Sequence, residues 1–300
     1  MLYSTTGQLT PTPPFDFDRS LEFLGSFGPT AGEQSLAARA LTKAARVNGQ
    51  TIVFRLISTG GVETPRLDYT LYSDQPIDGL TARAAADRAA FFLSTADDLH
   101  PFYAIGRTDP VFAPIIERLY GYHQVKFLTP FENACWAILT QRNAMPIARK
   151  MKDVLVERFG ERLELDGLRY TAFPEPARLA AADPAELLEL IRNVRRAEYL
   201  ADVARAFSSV DETWLRNGPY EDVETWLRGI NGIGAWSAAF VMLRGLGRME
   251  RIPIAEGKIP EDVSKLYGGS RQLSAAEIQR IAEGYGAWQG YWAHYVRVAG

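Results

Sequence analysis

The residues with the clearest chemical potential are the glycines of the segment Leu227-Arg-Gly-Ile-Asn-Gly-Ile-Gly-Ala-Trp236. Gly232 and Gly234 lack a Cβ, so the backbone can turn with positive φ and a ligand can approach it closely. Unpaired N–H groups at the start of a helix bind phosphate without a cationic side chain. The segment therefore predicts a phosphate-binding turn, although a lone Gly-x-Gly is more often a plain turn between helices.

Two helices must hold this turn, and the flanking residues favour both of them. Glu221, Asp222 and Glu224 suit the positive end of a first helix, and Gly229 ends that helix. A second helix is expected from Ala235 onwards, because an apolar helical pattern follows. The sequence thus predicts a helical hairpin over residues 226–244.

Composition excludes several classes of protein. The chain has 300 residues, 47% of them hydrophobic, and no apolar run long enough to span a membrane. Its single cysteine, Cys135, excludes an internal disulfide framework and an iron–sulfur cluster with four cysteine ligands. Its three histidines lack the spacing of zinc ligands. We expect a cytoplasmic protein that needs no cofactor for its chemistry.

The net charge differs from that of most nucleic-acid-binding proteins, which are basic. It is −3, with a pI near 5.8. The acidic excess falls in residues 1–139, which hold 11 Lys and Arg against 14 Asp and Glu. Any affinity for DNA would have to come from local patches and backbone contacts.

The pattern of elements predicts a small α+β domain at residues 1–98 and a helical body at 99–300. Residues 51–58 and 67–72 have strand patterns and 80–93 a helical one, whereas 1–14 are expected to be extended or loosely packed and 15–17 a short edge strand. After residue 100 only helices are predicted, beginning near 110, 130, 146, 184, 194, 260, 274 and 288.

Together these features resemble the helix-hairpin-helix/Gly-Pro-Asp (HhH-GPD) DNA glycosylases, in particular the bacterial 3-methyladenine DNA glycosylase II type. The resemblance covers most of the chain; its motifs are Asp109-Pro110, Pro130-Phe-Glu132 with Ile138-Leu-Thr-Gln141, Phe159-Gly160, Ala172-Phe-Pro174, the hairpin and Ile252-Pro253. It implies a mainly α fold, with an all-helical glycosylase body and a small N-terminal domain like the TATA-binding protein.

The resemblance also implies a catalytic carboxylate. Members of the family break the N-glycosidic bond of a damaged base, and a carboxylate after the hairpin stabilises the cationic sugar. The family pattern has Asp where this chain has Glu256. The extra methylene moves the carboxylate by about an ångström, which can cost on the order of a hundredfold in rate. Glu256 is therefore either a working carboxylate or the mark of a weakened enzyme; alternatively Glu250, Glu261 or Asp262 takes the role.

Aromatic residues are expected to hold the extruded base. The candidates are Trp136, Trp236, Trp288 and Trp292, because an electron-deficient alkylated base stacks favourably on such rings. Bifunctional relatives have a nucleophilic lysine at the position of Trp236, so no covalent imine is expected from this residue.

The DNA contacts implied by the resemblance lie near the hairpin. They are Gly229, Asn231, Gly232 and Gly234, together with Gln141, Lys258 and Arg142, the last of which would fill the gap left by the base or bind phosphate. Family members often bind a monovalent cation through hairpin carbonyls, which implies a Na⁺ or K⁺ site at Gly229, Gly232 and Gly234.

The sequence therefore favours a monomeric, monofunctional DNA glycosylase that acts on alkylated bases in duplex DNA and is associated with the nucleoid if bacterial. The alternative is a catalytically silent helix-hairpin-helix protein that binds damaged or distorted DNA. A protein-interaction module that has lost DNA binding is a third hypothesis, for which the acidic balance is the only support. The preferred lesion does not follow from the sequence.

Overall fold

The computed structural model of the chain describes residues 2–252, 258–269 and 271–300. Within these ranges the strands are β1 Tyr3–Leu9, β2 Gln34–Ser35, β3 Ala40–Val47, β4 Gln50–Ser58, β5 Leu67–Ser73, β6 Glu161–Leu165 and β7 Leu168–Ala172. The α-helices are α1 Phe17–Ser26, α2 Gly79–Phe92, α3 His100–Thr108, α4 Ala113–Arg118, α5 Pro130–Thr140, α6 Met145–Phe159, α7 Pro176–Ala180, α8 Pro184–Ile191, α9 Val194–Ser209, α10 Glu212–Asn217, α11 Tyr220–Arg228, α12 Ala235–Phe240, α13 Ile259–Tyr267, α14 Ala275–Glu283 and α15 Gln289–Ala299. None of these described helices is both long and apolar enough to cross a bilayer.

The N-terminal strands form an antiparallel sheet with the order β1-β5-β4-β3-β2. The strands predicted at 51–58 and 67–72 are confirmed as β4 and β5. One face of the sheet packs on α1 and α2 through a core that contains Leu41, Phe54, Leu71 and Phe92. The mixed α and β character predicted for this part of the chain is therefore confirmed.

The first residues are extended, which is one of the two alternatives expected for residues 1–14, and Tyr3–Leu9 pairs along its whole length with β5. This edge strand is largely exposed and rich in Thr and Gly, so it lacks the hydrophobic alternation that marks a strand. The edge strand expected at residues 15–17 was wrong, because Asp16 caps α1 by accepting from the backbone N–H of Asp18 at 3.0 Å.

The body is helical as predicted, except for one β-hairpin, formed by β6 and β7, that was not predicted. Strands β6 and β7 are joined by Asp166 and Gly167, with φ of 52° and 74°, as a two-residue turn of primed type requires. Leu163, Leu165 and Tyr170 pack against Val53 on the second face of the N-terminal sheet. The expectation of a wholly helical body is corrected here, because the sheet needs a cover on that face.

A buried ion network connects the sheet region with the helical body. Lys152 of α6 is 1% exposed, and its Nζ donates to Glu132 Oε1 at 2.6 Å and to Glu33. Lys43 of β3 donates to the other oxygen of Glu33 at 2.9 Å. Burial alone would raise the pKa of Glu33, but the charges of Lys152 and Lys43 lower it to about 2.

The helices of the body form two apolar clusters. The first unites α5, α6, α8, α9, α11 and α12, and the second unites α3, α4, α13, α14 and α15. The second hairpin helix continues as a π-helical turn, Val241–Gly245, in which Met242 belongs to the first cluster and Leu243 to the second. The hairpin is therefore built into the junction between the two clusters.

Candidate functional site

The predicted hairpin is present, with α11 and α12 joined by residues 229–234. Leu227 and Ile233 are buried and fix the turn to the first cluster. Gly232 has a φ of 90°, and a Cβ at this position would lie 2.4 Å from the Tyr199 ring. Both the backbone angle and the close neighbour require glycine here.

Gly234 lies on the exposed surface of the hairpin. It precedes α12 in an extended conformation, with φ −86° and ψ −177°, and no side chain caps the first N–H groups of that helix. A Cβ on Gly234 would meet no atom within 4 Å. An open surface with uncapped N–H groups is the arrangement that binds phosphate at a helix start.

Gln141 connects the hairpin to the end of α5. Its Nε2 donates to the carbonyl of Gly232 at 2.8 Å, and its own carbonyl accepts from Arg196 Nη2 at 2.9 Å. Arg142 follows it with an exposed side chain and a φ of 54°. A non-glycine residue in this left-handed region is uncommon and often lies at a functional site.

Two further polar groups of the turn have protein partners. Asn231 Nδ2 donates to Asp202 at 2.8 Å. The carbonyl of Gly234 accepts from the N–H of Ala238 at 2.9 Å. Because a carbonyl oxygen has two lone pairs, those of Gly232 and Gly234 can each still serve as a ligand, so the residues of the turn fit a cation.

A cavity of about 610 Å³ lies beside the hairpin, between the two helical clusters and α1. We call it the central cavity. Its described lining consists of Phe23, Ser26, Phe27, Gly28, Pro29, Trp136, Thr140, Met145, Trp236, Phe240, Leu243, Arg244, Lys258, Ile259, Ala293, His294, Arg297 and Val298. This volume suits a single base or another small ligand.

Two of the predicted aromatic residues line this cavity. Trp236 stacks on Phe240 one helical turn later, with ring centroids 5.3 Å apart and planes 7° from parallel. Trp136 of α5 is 2% exposed and lines the cavity as well. These rings form an apolar wall with which a planar group can make contact.

The other two predicted aromatics lie elsewhere. Trp292 is fully buried in the second cluster, and its Nε1 donates to the hydroxyl of Tyr267 at 3.1 Å. Tyr267 and Tyr285 in turn donate to Asp109 Oδ2, at 2.6 and 2.9 Å. Trp288 is half-buried against Phe102 in the same cluster. Neither tryptophan is among the described lining of the central cavity.

Cationic and imidazole groups in the cavity wall were not predicted from the sequence, apart from Lys258. Arg244 is 5% exposed, and burial lowers its pKa to about 10. His294 Nδ1 lies 3.4 Å from Arg244 Nη1, and burial together with that charge lowers the pKa of His294 well below its usual value. The sequence contained one signal for Arg244. It is the one charged residue in the apolar run Phe240–Leu246, and an arginine in a segment expected to be buried is rare and therefore a candidate for function.

The predicted catalytic residue, Glu256, lies outside the residues that the structure describes. Of the alternatives, Glu250 pairs with Arg248 at 2.7 Å and Glu261 with Lys265 at 2.7 Å. Asp262 lines a separate depression near Arg118, where partial burial raises its pKa. None of these three carboxylates lines the central cavity.

Comparisons with known proteins identify the family of the chain. The model of the family described as HhH-GPD superfamily base excision DNA repair protein matches residues 135–286. The DNA-3-methyladenine glycosylase of Bacillus subtilis (strain 168) is 30% identical over 202 residues, which are 67% of each chain. DNA-3-methyladenine glycosylase 2 of Escherichia coli (strain K12) is 32% identical over 163 residues, or 54% of each chain. The solved structure of a 3-methyladenine DNA-glycosylase from Archaeoglobus fulgidus superposes with a TM-score of 0.79 at 20% identity, covering 97% of both chains. The chain therefore belongs to the HhH-GPD superfamily of base excision DNA repair proteins.

Proposed function

We propose that this protein is a monofunctional, monomeric DNA glycosylase that hydrolyses the N-glycosidic bond of an alkylated base flipped out of duplex DNA. The observation that carries the proposal is the position of the central cavity beside the hairpin. Trp236 lines both this cavity and the surface depression around residues 228–234 of the hairpin. A duplex held by the hairpin would present an extruded nucleotide to this cavity. The similarity to two DNA-3-methyladenine glycosylases supports the choice of substrate class.

In this proposal the hairpin holds the DNA backbone. The uncapped N–H groups after Gly234 bind a phosphate, and the missing Cβ lets the sugar-phosphate chain approach. A monovalent cation held by the carbonyls of Gly229, Gly232 and Gly234 would add positive charge next to that phosphate. Binding through backbone N–H groups and a cation explains how a chain with a net charge of −3 can bind the DNA polyanion.

We assign to Arg142 the role of filling the gap that the extruded base leaves in the duplex. Its side chain is exposed beyond α5, on a loop that Gln141 fixes to the hairpin. A side chain held there can occupy the space of the missing base or bind the adjacent phosphate. The extruded base then lies against Trp136 and Trp236, which line the cavity.

The chemical step is assigned to Glu256. As the C1′–N bond breaks, its electron pair moves to the base and positive charge develops on the sugar. A carboxylate near C1′ stabilises that charge and accepts a proton from the attacking water. Two features support this assignment: Lys258, two residues further on, lines the cavity, and none of the described lining residues is Asp or Glu.

A base-release assay tests the proposal. The protein is incubated with methylated duplex DNA, and released bases are measured by mass spectrometry. We expect release by the wild type and a loss of at least about a hundredfold in Glu256→Gln, with DNA binding retained. Asp262→Asn is the matched control, because Asp262 lines a different depression, and it should keep full activity.

The opposite results would identify the alternative. Binding of damaged duplex without any release by the wild type would favour a silent DNA-binding protein, the alternative raised by glutamate in place of aspartate. Loss of release in Asp262→Asn, with Glu256→Gln active, would show that the site assignment is wrong.

A further inference from the structure

A group of exposed arginines lies near the hairpin. Arg142 follows α5, Arg192 ends α8, and Arg195 lies in the first turn of α9. In the part of the chain that the structure describes, none of these three side chains forms an ion pair or a hydrogen bond. Arg205 of the same helix is different, because it pairs with Asp202. We call Arg142, Arg192 and Arg195 the basic patch.

Helix α9 places the basic patch beside the hairpin. Arg195 and Tyr199 are four residues apart, so they share one face of the helix. The Tyr199 ring packs against Gly232, where an added Cβ would lie 2.4 Å from it. Arg195 is therefore one helical turn, about 5 Å, from the residue that contacts the hairpin, and Arg192 is further along in the same direction. Glu198 lies on a neighbouring face and lines a separate depression.

Arg196 connects Arg142 to the other two arginines of the patch. Its Nη2 donates to the carbonyl of Gln141 at 2.9 Å, directly before Arg142 in the chain. Partial burial lowers the pKa of Arg196, and no carboxylate among the described residues offsets its charge. Arg196 is a positioning residue, because it holds the loop that carries Arg142 against the start of α9.

The positions of these arginines do not favour folding. Arg195 and Arg196 lie in the first turn of α9, at the positive end of the helix dipole, where carboxylates are preferred. Arg192 has a left-handed backbone with a φ of 55°, at a helix end where glycine is usual. Residues that break local rules without a compensating contact in the protein are expected where a function requires them.

We propose that Arg192 and Arg195 bind phosphates of the undamaged strand, so that the protein contacts both strands of the duplex. This inference rests on the proposed function and extends its DNA-binding surface. The N–H groups after Gly234 hold the damaged strand there, and Arg142 occupies the gap left by the extruded base. Groups that lie beyond the gap, as seen from the hairpin, face the opposite strand.

Gln141 shows that the two contact regions are continuous. Its side chain donates to the carbonyl of Gly232 in the hairpin, and its main-chain carbonyl accepts from Arg196 at the start of α9. Gln141 and Tyr199 also line the surface depression of the hairpin. One continuous surface therefore leads from the hairpin, past the loop of Arg142, to the other arginines of the basic patch.

The ligand of the basic patch is a phosphate rather than a base. A guanidinium binds two phosphate oxygens at once, and such contacts carry no sequence information. They add affinity for any duplex and none for the isolated damaged strand. The two arginines thus favour double-stranded over single-stranded DNA.

The test measures binding over a range of salt concentrations by fluorescence anisotropy. The probes are a duplex with an abasic-site analogue and the strand with the analogue alone. Each lost phosphate contact lowers the slope of log affinity against log salt by about 0.9 on a duplex. A protein with both Arg192→Gln and Arg195→Gln should therefore show a slope lower by about 2 on the duplex. On the single strand its slope should equal that of the wild type.

Arg280→Gln is the matched control. Arg280 is also exposed, but it lies in the last turn of α14, a helix that packs in the second cluster. This variant should keep the wild-type slope on both probes. A protein with Arg192→Lys and Arg195→Lys should also keep a slope near that of the wild type, because the charge is retained. Urea unfolding should show no loss of stability in the double glutamine variant, since its two arginines have no partner in the described part of the chain.

Three results would overturn the inference. An unchanged slope on the duplex in the double glutamine variant would refute contact between these arginines and DNA, while duplex binding by the wild type would leave the proposed function intact. A lower slope on the single strand as well would place the contacts on the damaged strand. If the wild type binds no duplex, the proposed function and the inference both fail.

Discussion

Replacement of Gly234 by alanine separates DNA binding from folding. Gly234 has backbone angles that any residue can adopt, and an added Cβ meets no atom within 4 Å. The change should therefore leave the fold intact and stabilise it slightly, by about 0.4–1 kcal/mol, because the unfolded chain loses freedom. The new methyl group lies where the phosphate would approach, so affinity for duplex DNA should fall about ten- to a hundredfold, the value of one hydrogen bond to a charged group.

Gly232→Ala is the contrasting change in the same turn. Its Cβ would lie 2.4 Å from the Tyr199 ring, at a φ of 90°. Overpacking costs about 1–3 kcal/mol, and the left-handed conformation adds about 1–2 kcal/mol. We therefore expect a loss of about 2–5 kcal/mol in the free energy of unfolding.

Both variants are measured by urea unfolding and by fluorescence anisotropy on a duplex that contains an abasic-site analogue. The reasoning requires a stable Gly234→Ala variant that binds weakly and a destabilised Gly232→Ala variant. Wild-type affinity in Gly234→Ala would refute the assignment of this surface to the phosphate. A large loss of stability in the same variant would show that Gly234 has a packing role.

Two further predictions concern the aromatic residues and the buried ion network. Trp292→Ala should lower the free energy of unfolding by about 3–5 kcal/mol, because Trp292 is fully buried, whereas Trp236→Ala should leave stability nearly unchanged in urea and reduce base release. The pKa of Glu33 is lowered to about 2, so its stabilising interaction is complete above the unfolded value near 4.5 and is lost as pH falls from there towards 2. The free energy of unfolding, measured across this pH range, should fall more steeply in the wild type than in Glu33→Gln. Equal slopes in the two proteins would contradict the assigned pairing with Lys152.

The elements that were predicted correctly are those with local signals. Helix α5 begins at the predicted residue, Pro130, where Thr129 caps the helix by accepting from the N–H of Glu132 at 3.0 Å. Helix α8 begins after Asp183 in the same way. The hairpin also follows from its own glycines. Caps and turns depend on a few consecutive residues, so the sequence contains the information needed to recognise them.

Strands without hydrophobic alternation were missed. Strand β3 contains several alanines and has buried residues on both faces, so it shows no alternation. It pairs with the next strand, β4, across the Asn48-Gly49 turn, and the β6–β7 hairpin, which is distant in sequence, covers it. The Asp166-Gly167 turn between β6 and β7 was a local signal that the sequence analysis did not use.

The sequence by itself determined the family, the helical hairpin and the residue types that a glycosylase site needs. Which aromatic residues reach the central cavity depended on the tertiary structure, because four tryptophans of equal chemistry separate into two that line it and two that pack in the second cluster. The same holds for Arg244, because its burial, and the lack of a hydrogen-bond partner for its Nη2 among the described residues, become apparent only in the folded chain. Local chemistry selects candidate residues, whereas the packing of elements distant in sequence decides which of them share a surface.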